Sequence, residues 1–365
     1  MKRIVLLTGH YFESKRKAGF HWLAEAYWQA GWEVVFVTLA ISWLSYVRKD
    51  YRLQYPVFQK RNRVEQVRDR LHSYVWFTPW HPANLRLAPL NRMANDLYGT
   101  YGELPLGPVE SYLKDADVFV FESNPSLLLF ERFKRLNPTA RYIYRVSDDM
   151  KLIRTHPRVI EEEGWRAEQF DLISTPSEYI YRQFSHHPQA RLHPHGLAKE
   201  LFDTPLETPY RTAGPNLIFV GNAQFDFDFL DRASDAFPEW NFHIIGPIKG
   251  LPSKPNVHAY GERPFKEIIP YLQHGDIGLQ ILAYSPGAES FTDSLKMSQY
   301  TYCKLPIVAP DFLRSSRPHA FYYRPGDTAS IREALTAART YDRSAIDVSQ
   351  IRSWSELANE LIHHE

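Results

Sequence analysis

Residues 276–310 read DIGLQILAYSPGAESFTDSLKMSQYTYCKLPIVAP, and the fold is decided by how this stretch is divided. Residues 277–282 are an apolar run of strand length, followed by a loop carrying Tyr284, Ser285, Pro286 and Gly287. The spacing then predicts a helix over residues 294–302 and a buried strand over residues 305–309, closed by Pro310. Lys296 and Gln299 lie three positions apart, so they share one face near the start of that helix. Backbone N–H groups, the helix dipole and an ammonium converge there, which suits a diphosphate. The plain alternative is a surface lysine and glutamine on an ordinary amphipathic helix, and the helix alone favours it. The surrounding chain tips the balance toward a ligand.

The chain has 365 residues, room for two domains, with 44% hydrophobic and 15% aromatic residues to fill their cores. A net charge of +1 excludes a strongly basic nucleic-acid binder, and no nucleic acid is expected as a partner. The single cysteine, Cys303, forms no intrachain disulfide and reads as buried packing beside Tyr302. No run approaches the length of a membrane span. Met1-Lys2-Arg3 and the apolar residues after it are too short for a signal peptide and read as a first strand. The expected location is the cytosol, with contact at a membrane surface left open.

Away from the opening stretch, the chain alternates strands and helices. Residues 4–8 are a continuous apolar strand, residues 20–30 a helix closed by Gly31, and residues 34–37 the next strand. The loop between the first strand and that helix holds His10 but lacks the G-x-G-x-x-G fingerprint, which argues against a dinucleotide there. Residues 41–102 are rich in aromatics and, from 48 to 70, in cations, and read as a basic aromatic insertion. Such a segment suits an anionic lipid surface, where each cation contributes roughly 1 kcal/mol, or an acceptor groove; the alternative is a solvated irregular insertion. The strand at 117–121 ends on Glu122 and Ser123, and the strand at 141–146 ends on Ser147, Asp148 and Asp149. Further strands are expected at 172–175 and 191–195, before a Pro- and Gly-rich linker at 196–215. A second sheet follows, with strands that end on Gly221, Gly246 and Gly261 where a ligand can approach the backbone. The pattern is α/β with doubly wound sheets, which bind ligands at the carboxyl ends of their strands. Glu122, Asp148 and Asp149 are therefore placed where chemistry happens, and His10, Glu122, Ser123 and Asp149 are acceptor or cleft candidates. No histidine, cysteine and carboxylate set has metal-ligand spacing, so no metal and no cofactor is expected.

The phrases VFVFES (residues 118–123), RLNP (135–138), YRVSD (144–148), His195-Gly196, Val220-Gly221, Phe225-Asp226, FHIIG (242–246), Tyr260-Gly261-Glu262 and DSLKMSQY (293–300) lie in one order along the chain. Together they resemble the GT-B glycosyltransferases and, more closely, glycosyltransferase family 70, the family of the glucuronosyltransferase of xanthan assembly. The resemblance implies a GT-B fold, two Rossmann-like doubly wound domains facing a central cleft. Residues 1–200 are then the acceptor-binding domain with the catalytic base, residues 201–342 the nucleotide-sugar-binding domain, and residues 343–365 a C-terminal helix that packs back on the first domain. It further implies inverting, metal-independent transfer from UDP-glucuronate to a polyprenyl-diphosphate-linked oligosaccharide. Asp148 takes the place of the family's catalytic base. Tyr284, Lys296 and Gln299 take the places that hold the diphosphate and sugar, and Gly221, Asn222, Glu262 and Arg263 complete the donor-site candidates. Asp149 stands where the family has glycine, and Ala223 and Arg263 stand where it has methionines, which bears on the donor rather than the fold. The competing readings are transfer of another UDP-sugar or to another acceptor, a phosphorylase or epimerase on the same fold, and a nucleotide-sugar-binding protein without turnover.

Overall fold

The computed structural model describes residues 1–15, 17–221 and 224–363. The chain divides into two compact units, Met1–Pro194 with the segment from Trp354, and His195–Ser353. The first unit thus ends six residues before the expected boundary at 200. Of the expected C-terminal segment 343–365, residues 343–353 stay with the second unit. Two contacts hold them there: Leu197 N–H donates to Arg352 O at 2.8 Å, and Arg343 Nε donates to Lys304 O at 2.7 Å.

In the first unit, β1 (Arg3–Thr8) forms from an unbroken apolar run, and Ile4, Val5, Leu6 and Leu7 are fully buried. That is the signature of a strand covered by helices on both faces. It is joined by β2 (Glu33–Ser42), β3 (Val64–Arg68), β4 (Leu71–Thr78), β5 (Val118–Glu122), β6 (Arg141–Arg145), β7 (Leu172–Thr175) and β8 (Ala190–Leu192) in the order β3-β4-β2-β1-β5-β6-β7-β8. Only β3 runs antiparallel to its neighbour. The chain leaves β1 toward β2 on one side and returns to β5 on the other, so the switch point lies between β1 and β5. The helix Trp354–His363 packs against the helix Gly19–Gln29, where Tyr27 Oη donates to Ala358 O at 3.1 Å.

Residues 41–102 are not an irregular insertion. β4 pairs in parallel with β2 inside the main sheet, and its Tyr74 and Trp76 are buried in the core with Phe119, Phe121 and Tyr142. The aromatic content that set this segment apart is partly core, since each large aromatic side chain contributes about 1.5–3 kcal/mol on burial.

The second unit carries six parallel strands, β9 (Asn216–Val220), β10 (Asn241–Ile245), β11 (Val257–Gly261), β12 (Ile277–Leu279), β13 (Ile307–Pro310) and β14 (Ala320–Tyr323), in the order β11-β10-β9-β12-β13-β14. Its switch point lies between β9 and β12. Alternate residues face two separate cores: Leu217 and Phe219 join Phe229, Phe242 and Tyr323, whereas Ile218 joins Leu272, Met297 and Tyr300. The helix expected at 294–302 is Leu295–Tyr302, and the loop before it contains a 3₁₀ segment at Ala288–Asp293.

Candidate functional site

At the switch point of the first unit, the ends of β1, β5 and β6 are tied together by the Glu122-Ser123 pair. The Glu122 side chain is buried. Its Oε2 accepts from Thr8 Oγ1 at 2.6 Å, Gly9 N–H at 3.0 Å and Asn124 Nδ2 at 2.9 Å. Its Oε1 lies 3.6 Å from His10 Nε2. Ser123 Oγ accepts the backbone N–H of both Ser147 and Asp148, each at 3.0 Å. The loop after β1 is also held from the far side. Thr38 Oγ1 donates to His10 O at 2.8 Å, and Arg52 Nη1 donates to Gly9 O at 2.6 Å and Leu39 O at 2.9 Å.

The two neighbouring aspartates differ in what they do. Asp149 Oδ1 accepts from Lys151 N–H and its Oδ2 from Gln183 Nε2, both at 2.9 Å, so this carboxylate organises the turn. Among the described residues, the Asp148 carboxylate has no hydrogen-bond donor. It keeps solvent access, yet the protein packed around it strips hydration. That desolvation, then the Glu122 charge, pushes its carboxyl up to about 6, with His10 pulling the other way and Asp149 adding to the rise. Water screens part of these charge effects at an exposed group, so the direction carries the chemistry. A free carboxylate with a raised pKa at a sheet switch point can accept a proton from a bound hydroxyl.

In the second unit, three strand ends meet on glycine. Gly221 N–H donates to Ile245 O at 3.0 Å and Gly246 N–H to Gly261 O at 2.8 Å. Any Cβ on Gly246 would sit 1.8 Å from Gly221 O, so only glycine fits. Lys296 brings its Nζ to this floor, 4.6 Å from the centroid of the Phe219 ring. Among the described residues no carboxylate pairs with Lys296, and desolvation pushes its ammonium down to about 7. Although some of its side chain remains accessible, the head group lies over an aromatic face and against a glycine. Gln299 is buried on the same helix. Gln280, at the end of β12, is fully buried and donates to Phe291 O at 3.1 Å and Ser294 Oγ at 3.3 Å, which fixes the start of the Lys296 helix.

The other donor-site candidates are less gathered. Tyr284 is exposed, 62% accessible, with its ring edge-on to Phe312. Glu262 and Arg263 are exposed after the edge strand β11, where Arg263 reaches Tyr260 O at 3.3 Å and Glu267 Oε2 at 3.4 Å. Asn222 and Ala223 lie outside the described residues. The Phe225-Asp226 phrase is structural: Asp226 Oδ1 caps the helix Phe227–Ala236 through Phe229 N–H at 3.0 Å, and its Oδ2 accepts from Tyr323 Oη at 3.0 Å.

The cations of the basic segment are largely committed. Arg52 is buried and paired to Asp50, Lys60 pairs with Glu13 at 2.6 Å and Glu65 at 2.7 Å, Arg68 pairs with Glu25, and Arg61 lies 3.7 Å over the Phe58 ring. Sequence reasoning counted Arg52 among the cations of the basic segment and missed its role beneath the His10 loop. Nothing in its spacing marks this role, because besides Asp50 it holds carbonyls that only the fold gathers, Gly9 O in the loop after β1 and Leu39 O and Ala40 O on β2. Gln280 was missed as well; a polar residue in an apolar strand run was the available signal. Among the described residues no group of histidine, cysteine or carboxylate side chains is placed to hold a metal ion.

Residues 6–176 match the family described as the N-terminal domain of glucuronosyltransferase GumK. Over 363 residues, 98% of this chain and 88% of the relative, the sequence is 28% identical to the UDP-glucuronate:glycolipid 2-beta-glucuronosyltransferase of Xanthomonas campestris pv. campestris. The chain resembles GumK throughout its length. Solved structures add the fold. The trehalose 6-phosphate synthase of Burkholderia multivorans superposes with a TM-score of 0.57 at 10% identity, covering 99% of this chain and 95% of that one. WaaG, a glycosyltransferase of lipopolysaccharide biosynthesis, gives 0.53 at 14%, covering 99% and 96%. The fold is GT-B, and the YRVSD phrase that ends on Asp148 lies inside the residues 6–176 that match the family model. A putative UDP-N-acetylglucosamine 2-epimerase from Listeria monocytogenes shares the architecture at a TM-score of 0.55, so the fold by itself does not choose the reaction.

Proposed function

We propose that the chain is a glycosyltransferase that moves glucuronic acid from UDP-glucuronate to a glycolipid, the acceptor being a polyprenyl-diphosphate-linked oligosaccharide. The observation that carries this reading is the full-length similarity to the Xanthomonas enzyme. The site residues supply a consistent chemistry. Asp148 takes the proton from an acceptor hydroxyl as its oxygen forms a bond to the anomeric carbon from the face opposite the leaving group, which inverts that centre. The bond from that carbon to the diphosphate breaks, and the charge that develops on the leaving oxygen is met by the Lys296 ammonium and the backbone amides of its helix. Lys296 does the work that a divalent cation would do elsewhere, so transfer is expected to survive chelation.

Contact with an anionic membrane belongs to the same proposal, though through a different surface from the paired cations. The short helix Trp43–Val47 exposes Trp43, Tyr46 and Val47. The helix Ala88–Gly99 exposes Leu90, Met93 and Leu97 on one stripe, flanked by Arg86 and Arg92, which have no ion pair among the described residues. An apolar stripe rimmed by arginines suits insertion at the headgroup boundary. Among the described residues, no helix is long and apolar enough to cross a membrane.

The test is UDP release with a polyprenyl-diphosphate oligosaccharide present, measured with UDP-glucuronate and with UDP-glucose, with and without chelator. Acceptor-dependent release with UDP-glucuronate supports the reading. Release with UDP-glucose alone would replace the donor, and release only in the presence of a metal would remove the role given to Lys296.

A further inference from the structure

The buried pair at the end of β5 makes more bonds to the loops beside it than a substrate contact could spare. Glu122 Oε2 takes three donors from two segments, Thr8 and Gly9 after β1 and Asn124 after β5. Asn124 is itself fixed, because its Oδ1 accepts Ser126 N–H at 2.7 Å, while Ser126 Oγ donates to Glu122 O at 2.9 Å. Ser123 Oγ holds two consecutive amides of the loop after β6, the second of them the amide of Asp148 itself. We propose that Glu122 and Ser123 are positioning residues of the transfer reaction rather than substrate ligands: Ser123 fixes the backbone that presents Asp148, and Glu122 fixes the His10 loop and sets its carboxylate near the base. This rests on Asp148 being the base.

The physical reason is that the Asp148 carboxylate has no partner of its own among the described residues, so the protein controls its position through the backbone it is attached to. A carboxylate at the right distance from a hydroxyl is effective only if that distance is held, and a misplacement of about 1 Å can cost about 100-fold. The hydroxyl of Ser123 accepts two N–H donors that no other described group satisfies, so its loss frees the loop at the point where the base is attached. The charged groups that bear on Asp148 are Glu122 after β5, His10 after β1 and Asp149 on its own loop. Removing the Glu122 charge makes Asp148 easier to ionise and a weaker base.

The variants are S123A, S123T, E122Q and D148N in the full chain. Each is assayed for kcat, donor KM, UDP affinity by calorimetry, thermal unfolding and the pH profile of kcat/KM. The expected result is S123A with kcat reduced about 100-fold, donor KM and UDP affinity unchanged, and most of the loss restored in S123T, which keeps the hydroxyl. E122Q retains an acceptor oxygen for its three donors, so it should fold, and its acid limb should move to lower pH. Should S123A fail to fold, the E122Q profile decides. Wild-type kcat in S123A, or an unmoved acid limb in E122Q, overturns the proposal. D148N separates the two ideas: full turnover in D148N removes the base assignment, whereas an inactive D148N beside an unimpaired S123A removes only the positioning roles.

Discussion

Asp149 Oδ2 accepts a hydrogen bond from Gln183 Nε2 at 2.9 Å, and its other oxygen accepts Lys151 N–H at the same distance. With Asp149 spent on the turn, the neighbouring Asp148 is the carboxylate left free for chemistry. Adjacent aspartates in one loop thus differ, one committed to the turn and the other, in the proposed reaction, the base. Asp149→Ala should therefore lower unfolding stability by about 1–3 kcal/mol, since a hydrogen bond to a charged group contributes about 1.5–3 kcal/mol and partial exposure reduces the two that are lost. It should leave turnover within a few-fold of wild type. Urea unfolding and steady-state kinetics on the same preparation check both halves.

In the proposed donor site, Lys296 should tie ligand binding to pH. In the free protein desolvation holds its ammonium at about 7. A bound diphosphate favours the charged form and raises that value, so binding takes up a proton between about 7 and the higher value of the complex. Below pH 7 the ammonium is already charged and affinity should be flat. Above pH 7 the affinity for UDP should fall, by up to about tenfold per unit. Calorimetry in buffers of different ionisation enthalpy reads the proton uptake directly. Lys296→Met should lose both the affinity and its pH dependence without loss of unfolding temperature.

Arg52 is a buried cation whose guanidinium bonds to Gly9 O, Leu39 O and Ala40 O and pairs with Asp50. Arg52→Met removes the charge and leaves Asp50 and three carbonyls without it. Loss of one partner of a buried pair costs about 3–5 kcal/mol, and denaturant unfolding should show a loss of that size. Asp50→Asn should be milder, since the carbonyl contacts remain.

Surface apolar residues rather than the paired cations should govern attachment to lipid. A triple change of Leu90, Met93 and Leu97 to serine should abolish sedimentation with vesicles of anionic phospholipid, because each buried apolar side chain contributes about 1.5–3 kcal/mol. Changing Lys60 and Arg68 to glutamine should leave sedimentation near wild type, since both already pair with Glu13, Glu65 and Glu25. The reverse pattern would move the lipid contact back to the basic segment.

Much of the architecture is legible in the chain because its signals are local. Apolar runs mark β1, β9 and β13, and glycines close the strands around the Lys296 floor. β4 escaped because LHSYVWFT sits inside a segment whose charges dominate its composition, although Tyr74 and Trp76 are buried. The clasp on Glu122 escaped for another reason: its donors Thr8 and Gly9 are 114 and 113 residues away, so only the sheet order brings them together. The choice of Asp148 over Asp149 followed from resemblance to a family phrase. Its physical basis, that Gln183 and Lys151 occupy one carboxylate and leave the other open, exists only in three dimensions.

The most direct test of the account is the turnover of Asp148→Asn. The variant keeps the size of the side chain and the bond from its backbone to Ser123, but it cannot take a proton. In wild type the acid limb of kcat/KM should lie above the ordinary aspartate range, because desolvation and the Glu122 charge raise the Asp148 carboxyl. In the variant, transfer from UDP-glucuronate to lipid-linked acceptor should drop by about 100- to 10,000-fold, with UDP affinity and unfolding temperature unchanged. Turnover of Asp148→Asn within a few-fold of wild type, with Asp149→Asn inactive instead, would contradict it.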